Sequence, residues 1–519
     1  MCAAAPAAMA NRAHAGNPVD VLTYHNDNMR SGLNGGESVL TPANVNAGTF
    51  GKLLSYHVDG AIYAEPLYVS RLFIPGTGIR NVVYVATEHD SVYAFFAAGA
   101  GMLWHASFIN PPAVTTVSTT DVSCKLIVPE IGITGTPVID RATQTLYVVS
   151  KAKGRRAGFF YQLHALDLVS GAEKFGGPKT IAASVAGSGY DNVNGSVSFN
   201  PLTAHQRSAL LLSGGVVYIA FASNCDVGRY HGWVLAYDAA TLNQVAVFNT
   251  TPNGQRGGIW QSGNGPSASS LGYIFAGIGN GTFDADQPGG ADYGDSFVRL
   301  DPKTLAPLDF FTASDQARLE VADADAGSTG TVLLPNQPGP APLEMVGGGK
   351  DGTLYVLNLN SMGHFCPPPC NNSQVVQQIV GQLRALLSAP AYWNTFVYLI
   401  PSNGRLRAFS LHSGMLSSEP VNRSAINFGI EGASPAVSAN GSANGIVWAI
   451  KANGGYGPRA TLYAFDASDI SRELYGSDQA PNGRDTAGPA VKFTVPTVAD
   501  GRVYVGTRSE IDVYGLLPP

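Results

Sequence analysis

The chain has 519 residues, of which 13% are charged, with 61 glycines, 33 prolines and a formal net charge of -6. Its Lys and Arg residues form no cluster, which argues against a nucleic-acid partner, and no uninterrupted apolar stretch is long enough to span a membrane. Low charge with abundant Gly and Pro fits a large core with many tight turns.

The first residues, MCAAAPAAMANRAHAGN, have the small-residue texture of a signal-peptide cleavage region without a charged leader or an apolar core. Residues 1–20 are therefore expected to be a disordered tail or the remnant of a truncated leader, and the protein to be exported, bacterial and periplasmic or secreted. The run TFGKLLSYHVDG (Thr49–Gly60) reads as a strand with no partner nearby. From there a phrase recurs: VYAFF at Val92–Phe96, LHALD at Leu163–Asp167, VLAYD at Val234–Asp238 and FVRLD at Phe297–Asp301. It returns as LYVLN at Leu354–Asn358, LRAFS at Leu406–Ser410, LYAFD at Leu462–Asp466 and IDVYG at Ile511–Gly515. The third residues (Ala94, Ala165, Ala236, Arg299, Val356, Ala408, Ala464, Val513) are spaced by 71, 71, 63, 57, 52, 56 and 49 residues.

Repeats of this length, each rich in short alternating strands, predict an all-β, eight-bladed β-propeller occupying 49–517 as one domain. The first unit should close on Trp104 and the second on Phe175, and Ala209–Ser223, broken by Gly214-Gly215, reads as blade strand. No run of helical period stands out. The last unit ends after its third strand, so Gly51–Val58 is expected to supply the missing fourth and leave no open edge. Apart from Cys2 in the first stretch, the cysteines Cys124, Cys225, Cys366 and Cys370 are even in number and compatible with two disulfides, Cys366–Cys370 being the tighter candidate pair. Zinc would need further Cys or His at close spacing.

The repeated Y-A-x-D-x-x-T/S-G pattern resembles the pyrroloquinoline quinone (PQQ) repeat of quinoprotein alcohol dehydrogenases, which are eight-bladed propellers. Four stretches extend the likeness. NCDVGRYHGWVLAYD (Asn224–Asp238) is similar to the stretch that carries the family's calcium-binding glutamate, with Asp226 near that position. GGIWQSGNGPSASSLGYIFAGIGNGTFDA (Gly257–Ala285) matches the segment in which Trp260 would stack on the quinone and Asn280 would coordinate calcium. GGGKDGTLYVLN (Gly347–Asn358) places Lys350 where the family has a basic residue on the quinone oxygens, and LEVADADAGS (Leu319–Ser328) offers Asp323 or Asp325 as catalytic base.

Taken singly, each of these residues also reads as an ordinary turn or packing residue. Their occurrence in consecutive units, in the family's order, carries the resemblance. The implied chemistry is coherent: oxidising an alcohol with an ortho-quinone calls for a hard cation, oxygen ligands to hold it and a carboxylate to take the hydroxyl proton. The chain departs from the family in lacking the adjacent-cysteine disulfide and the tryptophan beside the base. It has no C-x-x-C-H haem motif, so an enzyme of this type would need a separate electron acceptor. Two functions follow as expectations: a PQQ- and calcium-dependent dehydrogenase acting on a small-molecule alcohol, or a non-catalytic propeller whose partner is another protein.

Overall fold

The computed structural model describes residues 19–99, 101–452, 454 and 457–518. Eight antiparallel sheets form the blades of a propeller ring, and one further hairpin (Ser184–Ala186 with Ser196–Ser198) lies outside them. Counted from the hub, the first blade runs Leu67–Ile74, Gly78–Thr87, Ser91–Phe96 and Met102–Ser107. In every blade the recurring phrase is the third strand from the hub.

Packing explains the phrase. Alternate side chains of a strand point to opposite faces, and here both faces are covered by a neighbouring blade. In Trp233–Asp238, Trp233, Leu235 and Tyr237 join the core shared with the preceding blade, whereas Val234 and Ala236 join the one shared with the next. Thr461–Asp466 divides in the same way, Tyr463 and Phe465 to one side and Leu462 and Ala464 to the other. The terminal aspartate has a separate task. Asp238 Oδ1 accepts the N–H groups of Ala240 and Thr241 at 3.2 and 2.9 Å, and Asp301 Oδ1 those of Lys303 and Thr304, both at 2.9 Å. These side-chain turns steer the chain into the outer strand. Asp238→Ala should therefore lower stability by about 1 kcal/mol, the worth of one such net hydrogen-bonding group, read as a shift in the urea midpoint.

The ring closes as the sequence predicts: Phe50–His57 pairs antiparallel with Glu510–Leu516, from Phe50 opposite Leu516 to His57 opposite Glu510. Phe50 packs its ring against Trp448, Tyr475 and Tyr514. Two local expectations differ. Phe175 does not end the second blade; it sits in a turn at φ 55°, half in solvent, and Lys179–Thr180 forms the outer strand. A seven-residue helix, Gln316–Ala322, interrupts the strands between the fourth and fifth blades.

The segment before Thr49 has a part that no repeat announces. Val21 pairs with Tyr68, Leu22 O accepts Ile139 N–H, and Asn28 bonds both Leu212 and Ala268. Met29, Ser31 and Gly32 carbonyls take the N–H groups of Leu333, Tyr392 and Val437, and Asn34 Nδ2 donates to Val498 O. Residues 21–34 thus bond to the innermost strand of all eight blades in turn. The expected tail over 1–20 lies, apart from Val19 and Asp20, outside the described residues.

Candidate functional site

A cavity of about 300 Å³ lies where loops of several blades meet. Its lining includes Asp226, Trp260, Asn280, Asp325 and Lys350, five of the six side chains singled out in the sequence. The sixth, Asp323, is not in the lining. It caps the Gln316–Ala322 helix in a left-handed conformation, and its side chain is 61% exposed.

Asp325 is the centre of the arrangement. Its Oδ1 accepts the Asn280 backbone N–H at 2.7 Å, and its Oδ2 accepts Trp260 Nε1–H at 3.0 Å and faces Lys350 Nζ at 2.6 Å. Lys350 Nζ also reaches Asp323 Oδ1 at 2.9 Å. This close approach depends on Gly279, where a Cβ would stand 2.5 Å from Asp325 Oδ1. Burial raises the Asp325 carboxyl above the ordinary range, against the pull of Lys350 and the Asn280 N–H. For Lys350, burial works to lower the ammonium, but the two aspartates outweigh it and leave it raised.

Asp226 lies on the loop after Val216–Ser223, exposed, with Oδ1 accepting Ser223 Oγ–H and Tyr230 O–H, both at 2.6 Å. Asn280 is buried, and its carbonyl takes the Gly257 N–H at 2.9 Å. The rest of the lining was not foreseen from sequence. Arg207 stacks its guanidinium 4.1 Å from the Phe493 ring and 5.2 Å from the Trp260 ring, and Lys492 stands 5.7 Å from Phe493. Burial lowers Lys492 to about 8, with Arg207 adding like-charge repulsion. Arg207, Leu387 and Phe493 share one position, four residues ahead of the innermost strands that begin at Leu211, Ala391 and Thr497. That frame is a signal the sequence does hold.

Cys225, next to Asp226, also lines the cavity and is bonded to Cys124 from the loop that carries Leu126; the second bridge is Cys366–Cys370. A different array, Ser150 Oγ to His164 Nε2 at 2.9 Å and His164 Nδ1 to Glu173 at 2.5 Å, has the atom pairing of a hydrolytic triad. Ser150 is only 1% exposed, which leaves no approach for a substrate, and the array is a strut inside the second blade.

No model of a protein family matches the chain, and no curated protein does. Solved structures do match. A quinohemoprotein alcohol dehydrogenase from Pseudomonas putida HK5 aligns at TM-score 0.60 and 14% identity, over 96% of this chain and 80% of that one. The quinohemoprotein alcohol dehydrogenase from Comamonas testosteroni aligns at 0.61 and 15% identity, with the same coverage. A europium-containing methanol dehydrogenase aligns at 0.62 and 12% identity, over 96% of this chain and 98% of that one. At such identities the likeness is one of fold: the ring is built like those of quinoprotein alcohol and methanol dehydrogenases.

Proposed function

We propose that the cavity binds an anionic, planar ortho-quinone of the PQQ type and that the protein is a quinoprotein oxidoreductase acting on a small alcohol. The observation that carries this is the convergence of Asp226, Trp260, Asn280, Asp325 and Lys350, drawn from three successive blades, on one cavity. Other buried carboxylates of the ring, such as Asp485 and Asp512, are bonded as fully, and what sets Asp325 apart is that it lines the cavity. The lining suits the quinone: an indole offers a stacking face, and Arg207, Lys350 and Lys492 suit carboxylate groups.

Calcium fits less well. Asp226 and Asn280 are hard oxygen donors of the right kind, but calcium takes six to eight oxygens. Among the described residues no group of three or more His, Cys, Asp or Glu is placed to hold a metal ion, and both oxygens of Asp325 already accept protein donors. The protein alone does not build a calcium cage, so the ion would depend on oxygens of the quinone.

When bound, the quinone supplies the redox step, accepting the hydride equivalent of the alcohol. The chain's own part is to place Asp325 as the base for the hydroxyl proton. Lys350 favours its ionised form and Trp260 Nε1–H fixes its orientation. Electrons would then pass to a separate acceptor. Two disulfides fit an oxidising, periplasmic or secreted setting, and among the described residues no helix is long and apolar enough to cross a membrane.

The test is titration of purified protein with PQQ, with and without Ca²⁺, followed by quenching of intrinsic tryptophan fluorescence in the wild type and in Trp260→Phe, then dye-linked oxidation of primary and secondary alcohols. Absence of PQQ binding in both arms defeats the reading. A pH arm adds detail. Lys492 carries its charge below about 8 and loses it above, so affinity for an anionic quinone should fall as pH rises through that value. In Lys492→Met the affinity should be weaker at pH 7 and flat across the same range.

A further inference from the structure

The two sulfurs of the Cys124–Cys225 bridge differ sharply in surroundings. Cys124 is 5% exposed and packed among Val117, Val122 and Ile127, whereas Cys225 is exposed and lines the cavity. The residue after Cys225 is Asp226, and two residues after Cys124 comes Leu126, another lining residue. A covalent bond across 101 residues of sequence therefore holds together two loops, from neighbouring blades, that both shape the cavity.

We infer that Cys225 Sγ is a thiol–disulfide exchange site, reached from the cavity side by a small thiol or dithiol, and that exchange there releases the wall of the cavity. Attack by a thiolate needs a line of approach to one sulfur, and only Cys225 offers it. The thiolate bonds to Cys225 Sγ, the disulfide bond breaks, and Cys124 leaves as a thiolate that takes a proton from water. A monothiol stops at this mixed disulfide. With a dithiol, the second thiolate attacks the reductant's own sulfur in the mixed disulfide and expels Cys225 as a thiolate, which is then protonated. The dithiol ends as its disulfide, having given two electrons to the protein. The loop holding Cys124 keeps its apolar anchorage. The loop holding Cys225, Asp226 and Tyr230 loses its covalent tie, and the cavity with it.

The inference rests on the geometry of the cavity wall; only its ligand readout rests on the quinone reading. The experiment uses the full chain with Cys366→Ser and Cys370→Ser, leaving one bridge, and 2-mercaptoethanol or dithiothreitol under native conditions. Peptide mapping should find the 2-mercaptoethanol adduct on Cys225 and a free thiol at Cys124. Dithiothreitol should speed hydrogen exchange at least tenfold over residues 224–231, with other blades unchanged, and weaken PQQ binding at least tenfold. An adduct on Cys124, no adduct in the folded protein, or unchanged exchange over 224–231 overturns the proposal. If the oxidised protein binds no PQQ, the quinone reading fails, while mapping and exchange still decide the role of Cys225. Should the serine variants fail to fold, the wild-type chain gives the same map, since adducts on Cys366 or Cys370 have their own masses and positions.

Discussion

Asp325→Asn should lower the alcohol turnover of the quinone-loaded protein by about 10²- to 10⁴-fold, the usual contribution of a general base, while Asp323→Asn should cost less than about threefold. The two aspartates stand two residues apart and share Lys350, so the contrast isolates position from charge. Asp325 is 3% exposed, lines the cavity and accepts three protein donors; Asp323 faces solvent. The amide in Asp325→Asn has one oxygen and can accept from Asn280 N–H or from Trp260 Nε1–H but not from both, and Lys350 keeps Asp323, so PQQ titration of the variant separates any change in quinone affinity from the loss of turnover. The pH profile offers a second check. A base with a raised carboxyl pKa is active above that pKa and is titrated away as pH falls through it, so the wild-type rate should drop on the acid side. Dye-linked turnover and PQQ titration on the two variants give the result, and loss in Asp323→Asn with retention in Asp325→Asn would refute the assignment.

What the sequence could tell about this site follows from what repeats can carry. The phrase is legible because one strand in each blade is buried on both faces and, in half of the blades, ends in a turn that an aspartate caps, as at Asp238 and Asp301. The burial recurs eight times and the aspartate in four of the phrases, at Asp167, Asp238, Asp301 and Asp466, which leaves similar letters. Lys350 lies just before a phrase and Trp260 and Asn280 between two of them, and a matching order of segments was enough to single them out. The choice between Asp323 and Asp325 was not legible, because it turns on where a short helix ends. That helix, Gln316–Ala322, has no side-chain cap bond and only Gln316 and Leu319 buried, so its apolar period is too weak to stand out. Cysteine parity gave the number of bridges but could not pair Cys124 with Cys225 across 101 residues. Phe175 misled because a large apolar residue after a turn resembles the end of a strand; here it is exposed in a turn, with Lys174 Nζ 5.2 Å over its ring.

Arg30→Met should destabilise the ring by about 3–5 kcal/mol, a large loss for a single side chain. Residues 21–34 touch every blade mainly through backbone hydrogen bonds, which any sequence could make, and this is why nothing in the composition announced them. Arg30 fixes that path in place. It is fully buried, with Nε and Nη2 donating to Pro266 O at 3.0 and 2.9 Å, Nη2 to Leu210 O at 3.0 Å, and Nη1 to Thr23 Oγ1 and Tyr24 O at 2.7 and 3.0 Å. Burial lifts nearby Glu65 to about 8, so at neutral pH that carboxyl is mostly protonated and cannot balance the guanidinium; its Oε2 accepts the His25 N–H instead. The charge is held by these carbonyl oxygens together with Asp27, its main countercharge. Methionine fills part of the volume and removes the cost of burying the charge, but it strands the carbonyls of Pro266, Leu210 and Tyr24, at roughly 1–3 kcal/mol for each that water cannot reach. Arg30→Lys keeps the charge without the planar fork and should fall between the two. Urea midpoints with circular dichroism measure the order, and a shift in Arg30→Met equivalent to less than about 1 kcal/mol would mean that the eight blades close the hub without the segment that threads it.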